Sequence, residues 1–463
     1  MGWGTDPRVA LVAFAVCAAA GARAQEDDGL LVIKAGTVIT VSGEELRPGV
    51  VVVRDGRIEA VGAKIEVPPR ARRVEAPRGV LMPAWIVPRS RLGLAPYTRT
   101  GNAAHRSAAD EWFPRPDALR RLRAAGVGAV ALVPAGSGVP GSAAVFRPRG
   151  GAREDMLLPG AGYLRISFAA LPGDKRTLRA AFRAAEQAIE REEKARKAFE
   201  AKRAKEKDKT GDKGKGDAKG RKGSEKKEPG GAKGKKDPAG KGTKGSEGKK
   251  GSEGKAAAKG KKAEARFVPP PIPPNLRPFV ELLRSSKHAP RLVVEIARAR
   301  DLVHFDDGFA SRKLRPCFFF RGGEESDLFH AVPALGARGA TVLLAPRISY
   351  EPYTRTRRNL AAELDRAGAR VGFVPLDDTA EGFAKHLFAV GQLVREGLPR
   401  EVALRGVTLV PARVLGLDEE LGSLAKGRRA DLLLLDGDPF APGAHVRAVF
   451  CDGEQVWPEE KRQ

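Results

Sequence analysis

The sequence is poor in the side chains that hold metals or stack on nucleic-acid bases. Its 463 residues include six histidines and three cysteines, and aromatic residues make up 6%. His105, His288, His304, His330, His386 and His445 are scattered with no H-x-H or H-E-x-x-H spacing, so recognised zinc-binding motifs are absent. Cys317 and Cys451 each sit in a short apolar run. A lone pair in separate parts of the chain reads as two packed thiols, not as a disulfide framework. No apolar run approaches the roughly 20 residues that cross a bilayer. The longest, Val9 to Ala20, follows Arg8 and leads into Ala22-Arg23-Ala24, the pattern of a secretory leader cleaved after Ala24. The bulky Val16 before Cys17 argues against lipoprotein processing. The expectation is an exported protein, periplasmic or secreted.

Positive charge, by contrast, is abundant: 83 Lys+Arg against 57 Asp+Glu give a formal charge of +26. Residues 201–266 hold 24 of those basic residues and 10 of the acidic ones, so more than half of the excess lies in one segment. That segment repeats Lys and Gly with almost nothing to bury, which predicts a disordered basic insertion. No aromatic residue stands between Phe199 and Phe267, which removes base stacking. Any contact with an anionic polymer through this insertion is therefore expected to be electrostatic and non-specific, with no sequence-specific nucleic-acid partner. Ahead of it, residues 178–205 have the composition of a long exposed helix.

The two chain ends read alike. From Leu30, β-branched runs alternate with turns such as Asp55-Gly56, and near the end Asp436-Gly437 and Asp452-Gly453 punctuate further short runs, the pattern of hairpins. Between them, the apolar runs Val127 to Val133, Arg291 to Ile296, Cys317 to Phe320, Ala340 to Leu344 and Val371 to Val374 are separated by helical stretches such as Arg355 to Ala367. Alternating strand and helix predicts a parallel sheet or barrel. The Gly-rich stretch Pro134 to Ser142 lacks the Gly-Lys-Ser/Thr ending of a phosphate cradle and reads as a loop at one face.

Ala403-Leu404-Arg405-Gly406-Val407-Thr408-Leu409-Val410-Pro411-Ala412-Arg413 is followed by Leu421-Gly422-Ser423-Leu424, Lys426-Gly427, Ala430-Asp431-Leu432 and Asp436-Gly437-Asp438-Pro439. Together with Lys34 to Thr40, Arg54 to Gly62 and Arg358-Asn359-Leu360, these stretches resemble the amidohydrolase superfamily, in its imidazolonepropionase-like branch. The resemblance implies an α/β fold, a (β/α)8 TIM-like barrel plus a small β-sandwich built from both chain ends. The corresponding domains are a leader at 1–24, sandwich parts at 25–82 and 405–463, and a barrel at 83–404 interrupted by the insertion 201–266. It also implies a hydrolase of C–N bonds other than peptide bonds, using zinc or another divalent metal at the C-terminal mouth of the barrel.

The family's metal-binding histidines are not matched. Where the resemblance places an H-x-H, this chain reads Pro88-Arg89-Ser90-Arg91. Glu295 falls at the next histidine position and Arg321, before Gly322-Gly323, at the one after it. Asp377, in Phe373-Val374-Pro375-Leu376-Asp377-Asp378, aligns with the catalytic aspartate. Of the adjacent pair Asp377 and Asp378, at most one is expected to point into the site. Guanidinium is cationic and has no lone pair to donate, so no cofactor or metal is expected. The arginines are expected to pair with Glu295 and Asp377 in place of the metal, or to bind a small-molecule or anionic ligand. The reading is an inactive or impaired homologue kept for binding or assembly, as a homo-oligomer or beside an intact paralogue. A divergent hydrolase working through Asp377, and an anionic-polymer-binding module acting through the insertion, are the alternatives.

Overall fold

The computed structural model describes residues 27–67, 69–169, 172–211, 266–286, 289–312 and 314–459. The expected leader at 1–24 and all but the ends of the basic segment 201–266 lie outside the described residues. The chain forms two compact units, residues 1–186 with 272–463 and residues 187–271.

In the second unit, the described residues are the later part of the helix Pro172–Gly211 and the returning segment 266–271. Ala, Glu, Arg and Lys favour helix without tertiary help. The Phe267 ring lies 5.6 Å from Phe199, and the Arg196 guanidinium sits 5.6 Å over Phe267.

In the first unit, an eight-stranded sheet draws on both chain ends. Its order is Glu454–Trp457, Val446–Cys451, Leu432–Leu435, Ala71–Pro83, Asp27–Ile39, Gly49–Arg54 and Arg57–Gly62, with Glu45–Leu46 pairing beside Asp27–Ile39. The two ends join where Leu432 to Leu435 pair antiparallel with Pro83 to Val80. Asp55-Gly56 and Asp452-Gly453 both turn with positive φ at each residue, the geometry that two-residue hairpins favour. One pairing departs from the expected hairpins: Asp27–Ile39 and Ala71–Pro83 run parallel, because the intervening hairpin acts as the crossover. Alternate residues feed opposite faces, with Leu31, Ile33, Val51, Leu432 and Phe450 in one apolar cluster and Leu30, Val32, Val50 and Val52 in another.

Each of the five central apolar runs contains a strand, and their central residues are buried because helices or other strands cover both faces. The backbone hydrogen bonds make two sheets, among the described residues, and not one continuous ring. A four-stranded sheet holds Leu157–Leu158, Ala144–Phe146, Val127–Leu132 and Trp85–Ser90. A six-stranded sheet holds Arg370–Phe373, Thr341–Leu344, Cys317–Phe320, Arg291–Ile296, Tyr163–Ser167 and Gly138–Ser142. Ile86, Ala129, Tyr163, Val293, Phe319 and Leu343, from both sheets, meet in one core cluster. Helices Arg400–Val407 and Leu409–Leu415 pack against both Trp85–Ser90 and Arg370–Phe373, the edges a closed barrel would pair. The expected domain boundary at 404/405 therefore falls inside a helix that belongs to this core.

Arg147, 2% exposed, ties the core to the terminal sheet. Its Nε donates to Asp431 Oδ2 at 2.9 Å, its Nη2 pairs with Asp431 Oδ1, and its Nη1 donates to Asp452 Oδ2 at 2.6 Å. Burial alone would raise the Asp452 pKa, but hydrogen bonds from Arg429 and Arg147 bring it down to about 2. Cys317 and Cys451 are both buried free thiols.

Candidate functional site

Parallel strands place their C-terminal ends at one face, where α/β proteins assemble functional groups. Three of the strands that end there contribute ionised side chains. Glu295, near the end of Arg291–Ile296, is 2% exposed and accepts three hydrogen bonds. Arg165, near the end of Tyr163–Ser167, donates from Nε to Oε1 at 2.7 Å and from Nη2 to Oε2 at 2.6 Å, a bidentate fork. Arg89, near the end of Trp85–Ser90, adds Nε to Oε1 at 3.1 Å. Strand parity explains the convergence: Val293, in the core cluster, and Glu295 share a face, and Arg165 is in register with Val293.

The rest of the environment is closed. Arg165 Nη1 donates to the carbonyls of Pro134 at 2.7 Å and Gly136 at 3.2 Å, and the Tyr163 hydroxyl donates to Pro88 O at 3.0 Å. The Arg89 guanidinium lies 4.8 Å from the Phe319 ring centroid. Burial by itself would raise the Glu295 pKa, but the hydrogen bonds and charges of Arg165, and then of Arg89, outweigh it and hold the carboxyl below its ordinary value. Arg89 in turn is held above its ordinary value because the charge of Glu295 outweighs its own desolvation.

The other expected members of the cluster lie elsewhere. Arg91 follows the strand and turns away: its Nη2 reaches only the Ala95 carbonyl, at 3.3 Å, and its backbone N–H donates to Asp378 Oδ2 at 2.8 Å. Asp378, not Asp377, is thus the aspartate that faces the site, and its charge acts on Arg89. Asp377 is exposed and accepts from the Thr379 hydroxyl and from its backbone N–H at 2.9 Å, contacts that hold its pKa below the ordinary value. It supports the turn into helix Ala380–Ala384, whose N-cap is Thr379. Arg321 is exposed, and among the described residues it has no carboxylate partner: its backbone N–H still bonds to Ile296 O at 2.8 Å, but it stands past the last strand residue, Phe320.

Arg165 was not foreseen from the sequence. Its signal is a charged residue inside Tyr163-Leu164-Arg165-Ile166-Ser167, a strand buried at every position. A buried arginine requires a partner, and Glu295 is the one the adjacent strand supplies. The Gly-rich stretch has a packing role. At Gly136, with φ of 133°, a Cβ would lie 1.7 Å from the Arg99 carbonyl oxygen, so glycine alone lets the segment at Arg99 run alongside.

This donor set does not fit a hydrolytic metal. Both oxygens of Glu295 are engaged by guanidiniums, and a divalent cation would face two fixed positive charges. Among the described residues, no group of three or more His, Cys, Asp or Glu side chains is placed to hold a metal ion. What the arrangement does chemically is neutralise a buried carboxylate and close the strand ends.

Comparison with known proteins agrees with the fold. The sequence profile described as "Amidohydrolase family" matches residues 389–457. Adenine deaminase 2 of Jannaschia sp. (strain CCS1) is 46% identical over 63 residues, 14% of this chain and 10% of that protein. The N-acetylglucosamine-6-phosphate deacetylase of Caenorhabditis elegans is 36% identical over 180 residues, 39% of this chain and 37% of that protein. The matches thus span well under half of these relatives' length. The crystal structure of an amidohydrolase from Thermotoga maritima MSB8 superposes with a TM-score of 0.67 at 19% identity, covering 92% of this chain and 99% of that one, which establishes a shared fold. The C-terminal stretch thus matches the amidohydrolase family profile, and the chain shares its mixed α/β fold with a solved amidohydrolase.

Proposed function

We propose that this protein is an exported amidohydrolase homologue in which an ion-pair cluster replaces the hydrolytic metal centre, retained for binding or assembly and not for turnover. The observation that carries this reading is Glu295 with both carboxylate oxygens held by Arg165 and Arg89 at the strand ends. Metal-dependent hydrolysis needs an ion with an open position to turn water into a nucleophile near neutral pH. Relatives named as a deaminase and a deacetylase point to C–N bonds as the chemistry from which the chain departed. In this reading the strands close as a barrel, with helices Arg400–Val407 and Leu409–Leu415 spanning the seam.

A second reading, a divergent C–N hydrolase with a non-standard site, draws on one feature. Asp377 lines a cavity of about 730 Å³ together with Arg347, Arg395 and Glu324.

Metal analysis of the purified full chain, combined with a screen of N-acetyl sugars, aminopurines and simple amides, separates the two. The first reading predicts less than about 0.1 equivalent of zinc, manganese or iron and no turnover with or without added metal. Stoichiometric metal with chelator-sensitive hydrolysis overturns it. Metal-free turnover abolished by Asp377→Asn establishes the second.

A further inference from the structure

The N-terminal ends of the central strands carry a different set of side chains from the ends that hold Glu295. Val293 and Cys317 are in register and both belong to the core cluster. Two residues earlier stand Arg291, the first residue of its strand, and Arg315, in the segment that leads into the next one, both exposed. Leu343 belongs to that cluster too, and two residues before it Thr341 is in register with Arg370. The N-terminal ends of these segments therefore carry three arginines, where the inward positions above them are mostly apolar.

These side chains line a cavity of about 530 Å³ together with Arg338 and Arg413, and no acidic residue is in its lining. That volume is within the range of small-molecule sites, roughly 300–1,000 Å³. Arg338 is neutralised by Asp306 through two hydrogen bonds at 2.9 and 2.7 Å, and Arg413 pairs with Asp418 at 3.3 Å. Arg291, Arg315 and Arg370 have no carboxylate partner among the described residues. Arg370 Nε meets only the Thr341 hydroxyl, at 3.3 Å. The Arg291 guanidinium fills the space a side chain at Gly416 would take, against the C-terminus of helix Leu409–Leu415, where helix carbonyls favour a cation.

From this we infer a second, unassigned site at the N-terminal end of the central strands, which binds a small multivalent oxyanion. Guanidinium forks recognise phosphate and carboxylate oxygens in pairs, and three unneutralised ones around one cavity match a ligand with at least two anionic groups. A monovalent anion would leave most of that charge uncompensated. The site lies at the opposite end of the strands from Glu295 and does not depend on whether the chain is catalytic.

Titration calorimetry of the full chain with inorganic pyrophosphate, and separately with citrate, tests this. Saturable one-to-one binding of either anion is expected, with affinity at least about tenfold lower in Arg315→Gln/Arg370→Gln, a loss that two charge-assisted contacts more than cover. Preference between the two anions identifies a phosphate or a carboxylate ligand. Metal content and turnover are read in separate assays on the same protein, so failure here is separable from failure of the pseudoenzyme reading. If the double variant melts early, Arg315→Lys/Arg370→Lys keeps the charge and removes the fork, and a clear loss of affinity is still expected. Absence of saturable binding, or binding undiminished in both variants, overturns the site.

Discussion

Replacing Glu295 by alanine is the sharpest perturbation of the ion-pair cluster. The carboxylate is 2% exposed and Arg165 is 5% exposed, so neither can recruit bulk water when its partner is removed. Three hydrogen bonds, at 2.6, 2.7 and 3.1 Å, disappear together. Arg165 keeps only the carbonyls of Pro134 and Gly136 for a full positive charge. Breaking a buried pair in this way costs roughly 3–5 kcal/mol. With a melting shift of about 2–4 °C per kcal/mol for domains of 150–250 residues, the expected fall is roughly 6–20 °C. Thermal unfolding followed by circular dichroism measures it. Replacing the whole cluster with apolar residues, Arg89→Leu/Arg165→Met/Glu295→Leu, should recover much of the loss, because the desolvation penalty is removed along with the attraction. A melting temperature within about 1 °C of the parent for Glu295→Ala would refute the claim that the cluster holds the strand ends together.

The other perturbations probe different links. Arg147→Met strands the buried Asp431 charge and is expected to cost about 3–5 kcal/mol, whereas Arg91→Ala, at a side chain with no carboxylate partner among the described residues, should cost far less; parallel melts compare them. His386 is buried against Trp85, with ring centroids 4.5 Å apart, and burial pushes its pKa down to about 3. An unfolded histidine takes up its proton near pH 6.5 and the folded one resists, so stability is fully present above pH 6.5 and falls by up to about 1.4 kcal/mol per unit as pH drops toward 3. His386→Phe should flatten that part of the pH profile in urea titrations, and an unchanged slope would show that other groups set it. Deleting residues 206–262 should leave the melting temperature unchanged and lower retention on a cation exchanger at low salt.

Much of the scaffold was legible along the chain. Uninterrupted apolar runs such as Cys317 to Phe320 can only be satisfied where both faces of a strand are covered. The Asp-Gly pairs needed positive φ and found it in tight hairpins. Less of the site was legible. Arg89 and Glu295 were placed in it from a pattern of missing histidines, but the same pattern put Arg321 and Asp377 there, and both lie on exposed loops. A motif fixes where a residue stands in the order of the chain. Where a strand ends is decided by hydrogen bonds to its neighbour, and the last such bonds are those of the Arg321 N–H to Ile296 O and the Val374 N–H to Leu344 O.

By itself, then, the sequence determined which segments become strands, that the two ends share a sheet pattern, and that histidine ligands for a metal are missing, because each follows from local composition and spacing. Only the tertiary structure decided that Arg165, not Arg321 or Arg91, closes on Glu295, that Asp378 and not Asp377 turns inward, and that three unneutralised arginines gather at the opposite strand ends. Charge pairing between distant segments depends on sheet register and on which face each side chain occupies. A one-residue slip between the strands of Arg165 and Glu295 would put the two side chains on opposite faces while leaving the sequence pattern intact.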